Sequence, residues 1–203
     1  MPHTLSIIPC LFLALVAAAG TPEAGTKLLK LSRHRVVAAK FVQIRRLAEL
    51  DMEVKSTGSM VSELDGRLRW QVDSPVKSVT VIDREKLTHF DGESGKTAII
   101  AQDKFPWLKM LRSALDDWLS GDPKRISERF EVSTKRADTL HLVPRDAEMK
   151  KLCKSVDITI APGGDAIRSI RIAESGGDTL EIRFSEVVNN PELPSGTWRM
   201  PPR

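Results

Sequence analysis

The sequence predicts a mainly β fold, in which about eleven short antiparallel strands form a curved, partly closed sheet with helices at its mouth. Three observations predict it. Apolar and polar residues alternate with a period of two along most of the chain, as in strands with one buried face. Short turns rich in Gly, Asp and Pro separate these segments, and short turns join antiparallel neighbours. Only two substantial helical patterns occur, too few to cover a flat sheet of this size.

The N-terminal residues predict export. Residues 5–19 are almost continuously apolar and end on Ala17 and Ala19, an A-x-A pattern typical of a signal-peptide cleavage site. The run is shorter than the roughly 20 apolar residues that a membrane-spanning helix needs. We therefore expect a signal peptide at 1–19 and a single domain at 20–203. An uncleaved N-terminal anchor is the alternative.

The mature chain is expected to open with a helix at 26–39, after which the period changes to two. Gly58 predicts a break or bulge in the second strand. The clearest alternation places Leu68, Trp70 and Val72 on one face of the third strand. The predicted strands are 41–47, 52–64, 67–72, 77–83, 86–91, 96–101, 130–133, 139–143, 151–161, 166–173 and 180–185.

A second helix interrupts the strands at 105–119, where apolar residues recur at i, i+3 and i+4. Pro106 suits the first turn of a helix, and Gly121 and Pro123 end it. Residues 189–203 contain four prolines and are expected to be mostly irregular.

Charge and cysteine content narrow the class of protein. The chain has 31 basic and 27 acidic residues, interspersed along its length, which does not indicate a nucleic-acid partner. After cleavage Cys153 is the one remaining cysteine, so an internal disulfide is excluded and the core must stabilise the fold.

The sequence shows no catalytic or metal-binding pattern in which the residues have the required spacing. His34, His89 and His141 do not stand at metal-ligand spacing with one another or with a cysteine. Lys151 and Lys154 flank Cys153 and could lower its pKa, but a cysteine packed as a small apolar residue is the favoured reading. We therefore expect no enzyme activity, no cofactor and no metal.

Aromatic residues are the more informative group. Trp70 lies on an apolar strand face, and Trp107 and Trp118 lie on the interrupting helix. They are equally compatible with an ordinary core and with the lining of a ligand cavity. An apolar cavity with few polar groups suits an acyl chain.

Taken in order, these segments resemble the LolA family, the periplasmic carriers of outer-membrane lipoproteins. The family's F-x-Q opening strand is matched by Phe41-Val42-Gln43, within a longer F-x-Q-x-R-x-L pattern that ends at Leu47. The remaining matches, in order and spacing, are Gly58, Leu68-Arg69-Trp70, Pro75, the hairpin at 79–91, Leu142-Val143-Pro144, Gly177-Asp178 with Phe184 and Asn189, and Trp198-Arg199-Met200-Pro201-Pro202.

The resemblance implies an open, eleven-stranded antiparallel half-barrel whose concave face is covered by helices and holds the acyl chains of a lipoprotein or lipid. It implies loading by an inner-membrane ABC transporter and delivery to an outer-membrane acceptor, by a protein expected to be a periplasmic monomer. The expected cavity residues are Phe41, Leu68, Trp70, Val79 and Val81 on the sheet and Leu108, Leu111, Leu115 and Trp118 on the helical cover.

One departure from the family concerns the closing of the helical cover. Typical members carry an Arg-Pro pair shortly before the third strand, and residues 62–67 contain no such pair, although Arg67 and Arg69 lie close by. A second hypothesis therefore stays open: a sensory or scaffolding protein of the envelope that uses the same fold to bind lipoprotein or protein partners without transporting them. An exported hydrolase is the third and weakest hypothesis.

Overall fold

A computed structural model describes residues 34–64, 66–101 and 127–201. Within them, eleven antiparallel strands form one sheet that does not close into a barrel, with the order β6-β5-β4-β3-β2-β1-β11-β10-β9-β8-β7. This confirms the predicted open half-barrel. The strands are β1 Val36–Leu47, β2 Met52–Glu63, β3 Leu68–Ser74, β4 Ser78–Ile82, β5 Lys86–Asp91, β6 Lys96–Ala101, β7 Phe130–Arg136, β8 Thr139–Pro144, β9 Cys153–Ile160, β10 Ile167–Glu174 and β11 Thr179–Asn189.

Two runs of consecutive strands build the sheet, and β1 and β11 join them. Phe41 lies opposite Phe184, and Ile44 lies opposite Glu181, across this seam. The pairing shifts between Ala38 and Lys40, where Glu186 adopts a positive φ of 50°. Such a bulge bends a strand and increases its twist, which favours a curved sheet.

One face of the sheet carries the core, and we call it the inner face. Alternation places the apolar residues of every central strand there, as the strong burial of Leu142, Val156, Ile172 and Leu180 shows. Residues directly opposite in an antiparallel pair point to the same face, so the register assigns each side chain to the inner or the outer face.

A short helix, α1, spans Ala147–Leu152 between β8 and β9. The Asp146 side chain accepts a hydrogen bond from the Met149 backbone N–H and caps the helix. Met149 is buried in the inner-face core, so α1 covers part of that face. The predicted strand at 151–161 is therefore wrong at its start, since strand geometry begins at Cys153.

The predicted helix at 26–39 is also wrong at its end. Val36, Val37, Ala38 and Ala39 belong to β1, where they pair with β2 over the full strand. The apolar pattern of this segment is compatible with a helix. A strand is favoured because the segment pairs along both of its edges and because Val36 and Val37 are adjacent β-branched residues. The rest of this helix, the predicted helix at 105–119 and the predicted signal peptide at 1–19 lie outside the described residues.

The C-terminal tail, residues 190–201, lies against the opposite, outer face. Arg69, on the outer face of β3, donates from Nη1 to the backbone carbonyl of Arg199 at 2.8 Å. The Arg67 guanidinium lies 4.8 Å from the ring centre of Trp198, a cation–π contact. In the described part of the chain, no helix is long and apolar enough to cross a membrane.

Candidate functional site

The centre of the inner face is an aromatic pair. Phe41 on β1 and Trp70 on β3 stack with ring centroids 3.8 Å apart and planes 19° apart. Gly58 on β2 lies directly opposite Phe41, and it has no side chain to separate the two rings. Leu68 lies on the same face of β3, two residues from Trp70, and is buried. The structure therefore brings together the three inner-face residues predicted on β1 and β3.

An apolar pocket opens beside this pair at the β1–β11 seam. Its volume is about 50 Å³, and its lining is almost entirely apolar. Contributors from β1, β2, β10 and β11 surround it: Val37, Ala39, Met60, Ile167, Phe184 and Val187. Phe184 lies opposite Phe41 in the register, so the pocket continues from the aromatic pair.

The two predicted cavity residues on β4 face the other way. Val81 lies opposite Arg69 and Val79 opposite Gln71, which places both valines on the outer face. Both are buried. The prediction that they line the concave face is wrong in register, because in β4 both faces are buried and alternation alone does not identify the inner one. Thr80 and Ile82 are the inner-face residues of this strand.

The predicted helical cover lies outside the described residues. This applies to Leu108, Leu111, Leu115 and Trp118, and their role remains a prediction.

A polar cluster occupies the end of β1 that points away from the pocket. Arg45, 7 % exposed, donates from Nη2 to Glu174 Oε2 at 3.0 Å and to Asp178 Oδ2 at 3.1 Å. Gln43, 3 % exposed, lies between Arg45 and Phe41 on the same face. Three buried atoms of this cluster have no hydrogen-bond partner among the described residues: Gln43 Oε1, Arg45 Nη1 and Glu174 Oε1.

Sequence reasoning missed this cluster, although a signal was present. In Phe41-Val42-Gln43-Ile44-Arg45 the polar residues Gln43 and Arg45 share the parity of Phe41. A period-two reading therefore places both on the apolar face, where a polar residue is unusual and informative.

A second polar contact lies on the inner face between β4 and β5. Thr80 Oγ1 is 2.8 Å from His89 Nδ1. Burial lowers the pKa of His89, and the nearby Asp91 carboxylate only partly offsets this. His89 is therefore uncharged at neutral pH.

Cys153, the cysteine considered in the sequence analysis, belongs to the inner-face core. Cys153 is fully buried, and burial raises the pKa of its thiol to about 12, so it packs as an apolar residue. No group of three or more His, Cys, Asp or Glu in the described ranges could hold a metal ion.

Arg67 and Arg69 follow the segment in which typical family members carry the Arg-Pro pair, and neither side chain faces the inner side of the sheet. Arg67 is paired with Glu63 and lies over Trp198, and Arg69 lies on the outer face of β3. Among the described residues, the arginine buried at the inner face is Arg45.

Sequence comparison identifies relatives over nearly the whole domain. Residues 32–200 match the family model "Outer membrane lipoprotein carrier protein LolA". An outer-membrane lipoprotein carrier protein of Legionella pneumophila is 24 % identical over 174 residues, covering 85 % of this chain and 82 % of its own length. One from Dechloromonas aromatica is 25 % identical over 202 residues, covering 94 % and 88 %.

Solved structures share the architecture at low identity. An uncharacterized conserved protein from Thermus thermophilus superposes with a TM-score of 0.53 at 9 % identity, over 88 % of this chain and 93 % of that one. The MucA/MucB complex of Pseudomonas aeruginosa gives 0.52 at 12 % identity, over 87 % of this chain and 59 % of that one. These similarities show the fold alone.

Proposed function

This chain belongs to the LolA family of outer membrane lipoprotein carrier proteins, and we propose that it is a periplasmic carrier. In this proposal it shields the acyl chains of lipoproteins, or of a related lipid, in an apolar hollow during transfer from the inner to the outer membrane. It binds its cargo and does not transform it.

The observation that carries the proposal is the combination of the aromatic pair and the apolar pocket. Phe41, Leu68 and Trp70 belong to one buried apolar cluster, and the pocket beside Phe184 adjoins that cluster through Ala39 and Met60. Each buried methylene of an acyl chain contributes about 0.8 kcal/mol, so even a few methylenes provide measurable affinity. We propose that Leu108, Leu111, Leu115 and Trp118 cover this cluster.

Export is part of the proposal. Residues 1–19 serve as a cleaved signal peptide, and 20–203 form the carrier domain. The carrier works as a monomer, receives its cargo from an inner-membrane ABC transporter and passes it to an outer-membrane acceptor.

A scaffolding or sensory role is the second candidate. A structure with the same fold was solved as a complex of MucB with MucA, so this fold also occurs in a protein that binds another protein. In this candidate the chain binds an envelope protein and carries no lipid.

Native mass spectrometry of the mature chain, purified from a bacterial periplasm without detergent, tests the proposal. A carrier is expected to show an adduct of lipid mass that is lost on mild activation. A clean apo mass, together with no binding of added fatty acid or acylated peptide, would exclude the carrier and favour the scaffolding role.

A further inference from the structure

We propose that Gln43, Arg45 and Glu174 form a polar subsite that binds the amide group of an acylated ligand. The subsite lies on the inner face, on the same strand as the aromatic pair. Its ligand class deepens the proposed carrier function and rests on it.

The position of Gln43 and Arg45 next to Phe41 on β1 is the first argument for a ligand subsite. Gln43 and Arg45 alternate with Phe41 along β1, so the three side chains emerge from one face with Cα atoms about 7 Å apart between neighbours. The apolar pocket adjoins Ala39, on the other side of Phe41. A ligand whose acyl chain lies over Phe41 would therefore bring its polar end to Gln43 and Arg45.

The unpartnered atoms are the second argument. Gln43 Oε1, Arg45 Nη1 and Glu174 Oε1 find no hydrogen-bond partner in the part of the chain that the structure describes, and the side chains of Gln43 and Arg45 are more than nine-tenths buried. Buried polar atoms are nearly always hydrogen-bonded, because leaving one unpaired is costly. Arg45 is held through Nη2 by Glu174 and Asp178, which keeps its guanidinium in place with Nη1 available.

Charge and donor count identify the ligand chemistry. The cluster combines one guanidinium with two carboxylates, so a negatively charged ligand is disfavoured. Nη1 needs an acceptor, whereas Gln43 Oε1 and Glu174 Oε1 need donors. An amide supplies both: its carbonyl accepts from Arg45, and its N–H donates to Gln43 or Glu174. An ester can only accept, and a carboxylate is repelled.

Three probes of equal chain length test the proposal on residues 20–203: dodecanamide, methyl dodecanoate and dodecanoate. Binding is measured by displacement of a fluorescent acyl reporter. We expect the amide to bind about tenfold more tightly than the methyl ester, since hydrogen bonds to charged groups are the stronger kind.

Two variants each remove one hydrogen-bonding group of the subsite. Gln43→Met removes the acceptor at similar length, and Arg45→Lys keeps the charge opposite Glu174 and Asp178 but loses Nη1. Gln43→Met is expected to reduce the amide preference to about threefold or less and to leave the affinity for the methyl ester unchanged, since an ester has no N–H to donate. Arg45→Lys is expected to weaken binding of the amide and of the ester alike, since both carbonyls would accept from Nη1. Gln71→Met, on the outer face of β3, is the matched control and should keep the full preference. Circular dichroism checks that each variant is folded.

The outcomes separate the two proposals. If amide and ester bind equally well, or the amide preference survives Gln43→Met and the ester affinity survives Arg45→Lys, the unpartnered atoms hold structural water only and the subsite is overturned, while ester binding still supports the carrier. If none of the three probes binds, the carrier function and the subsite both fail.

Discussion

Phe41 and Trp70 stack across the strand that lies between them, with ring centroids 3.8 Å apart. The contact depends on Gly58 of β2, because a Cβ added there would lie 2.8 Å from Phe41 Cζ and 1.9 Å from the carbonyl oxygen of Gln71. A glycine at this position thus allows residues from β1 and β3 to form one surface.

Replacing this glycine is expected to destabilise the protein. Gly58→Ala should lower the free energy of unfolding by about 2–3 kcal/mol, because a backbone carbonyl cannot move aside cheaply. Urea denaturation measures it. Gly176→Ala is the control, since nothing lies within 4 Å of a Cβ there, and it should change stability by less than about 0.5 kcal/mol. Equal effects of the two substitutions would contradict this account.

A charge in the apolar pocket is expected to weaken acyl binding strongly. Val187 lines the pocket, whereas Val188 is 51 % exposed. Val187→Asp should weaken binding of an acyl reporter by about a hundredfold, because the carboxylate would lose its water when the chain enters. Val188→Asp should bind like the wild type. Unchanged binding by Val187→Asp would place the ligand elsewhere.

Acid stability is expected to depend on Asp157. Burial would raise the pKa of Asp157, but hydrogen bonds from His141 and Lys135 and their charges outweigh it, so the pKa lies below its ordinary value. The pKa of Asp157 is therefore lower in the folded than in the unfolded protein, where it is about 4. The carboxylate stabilises the fold fully above the unfolded pKa. This stabilisation is lost as the pH falls through the folded pKa.

Asp157→Asn should accordingly lower the free energy of unfolding by about 1–2 kcal/mol at pH 7, with the difference from wild type shrinking below about pH 4. Denaturation curves across this range measure it. Asp51→Asn, in an exposed pair with Arg46, is the control and should show no such pH dependence. A pH-independent difference for Asp157→Asn would show that its charge is not involved.

Cys153 is expected to be unreactive in the folded protein. Its burial and its pKa of about 12 leave almost no accessible thiolate at pH 8. The mature chain should give no colour with Ellman's reagent until denaturant is added, and then one thiol per chain. Cys153→Ala supplies the blank. Rapid reaction of the native protein would contradict the buried placement.

The C-terminal tail is expected to affect stability without affecting binding. Trp198→Ala removes the ring over which Arg67 lies and should lower the free energy of unfolding by about 1 kcal/mol. Acyl affinity should stay at the wild-type value, because the tail contacts the outer face. A loss of acyl affinity larger than the loss of stability would link the tail to the hollow.

Most of the fold could be predicted because strand periodicity is strong in this chain. The segments 86–91 and 96–101 match β5 and β6 to the residue, and the bulge at Gly58 is present as a register shift between β2 and β3. The start of β1 could not be predicted from the sequence. Pairing with β2 and β11 makes this segment a strand, and the local pattern of apolar residues does not contain that information.

The candidate site could be predicted only in part. Leu68 and Trp70 follow from alternation, since the other face of β3 is polar. β1 carries polar residues on both faces, so Phe41 follows from the F-x-Q resemblance and not from alternation. Val79 and Val81 do not follow from alternation either, because four consecutive residues of β4 are buried and the choice of face depends on the register with β3. Glu174 is the last residue of β10 and lies next to Arg45 of β1 because of how the strands are arranged in the sheet. The local sequence around either residue does not predict this contact.

The strand order also determines when the sheet can be completed during synthesis. Among the described strands, every pairing joins consecutive strands except the one between β1 and β11, the first and the last of them. The two local meanders can therefore form early, but one edge of β1 must wait for the C-terminal strand, and an unpaired edge invites aggregation. The edge of β1 that awaits β11 is thus the part of this sheet most open to wrong pairing before the C-terminal strand is in place.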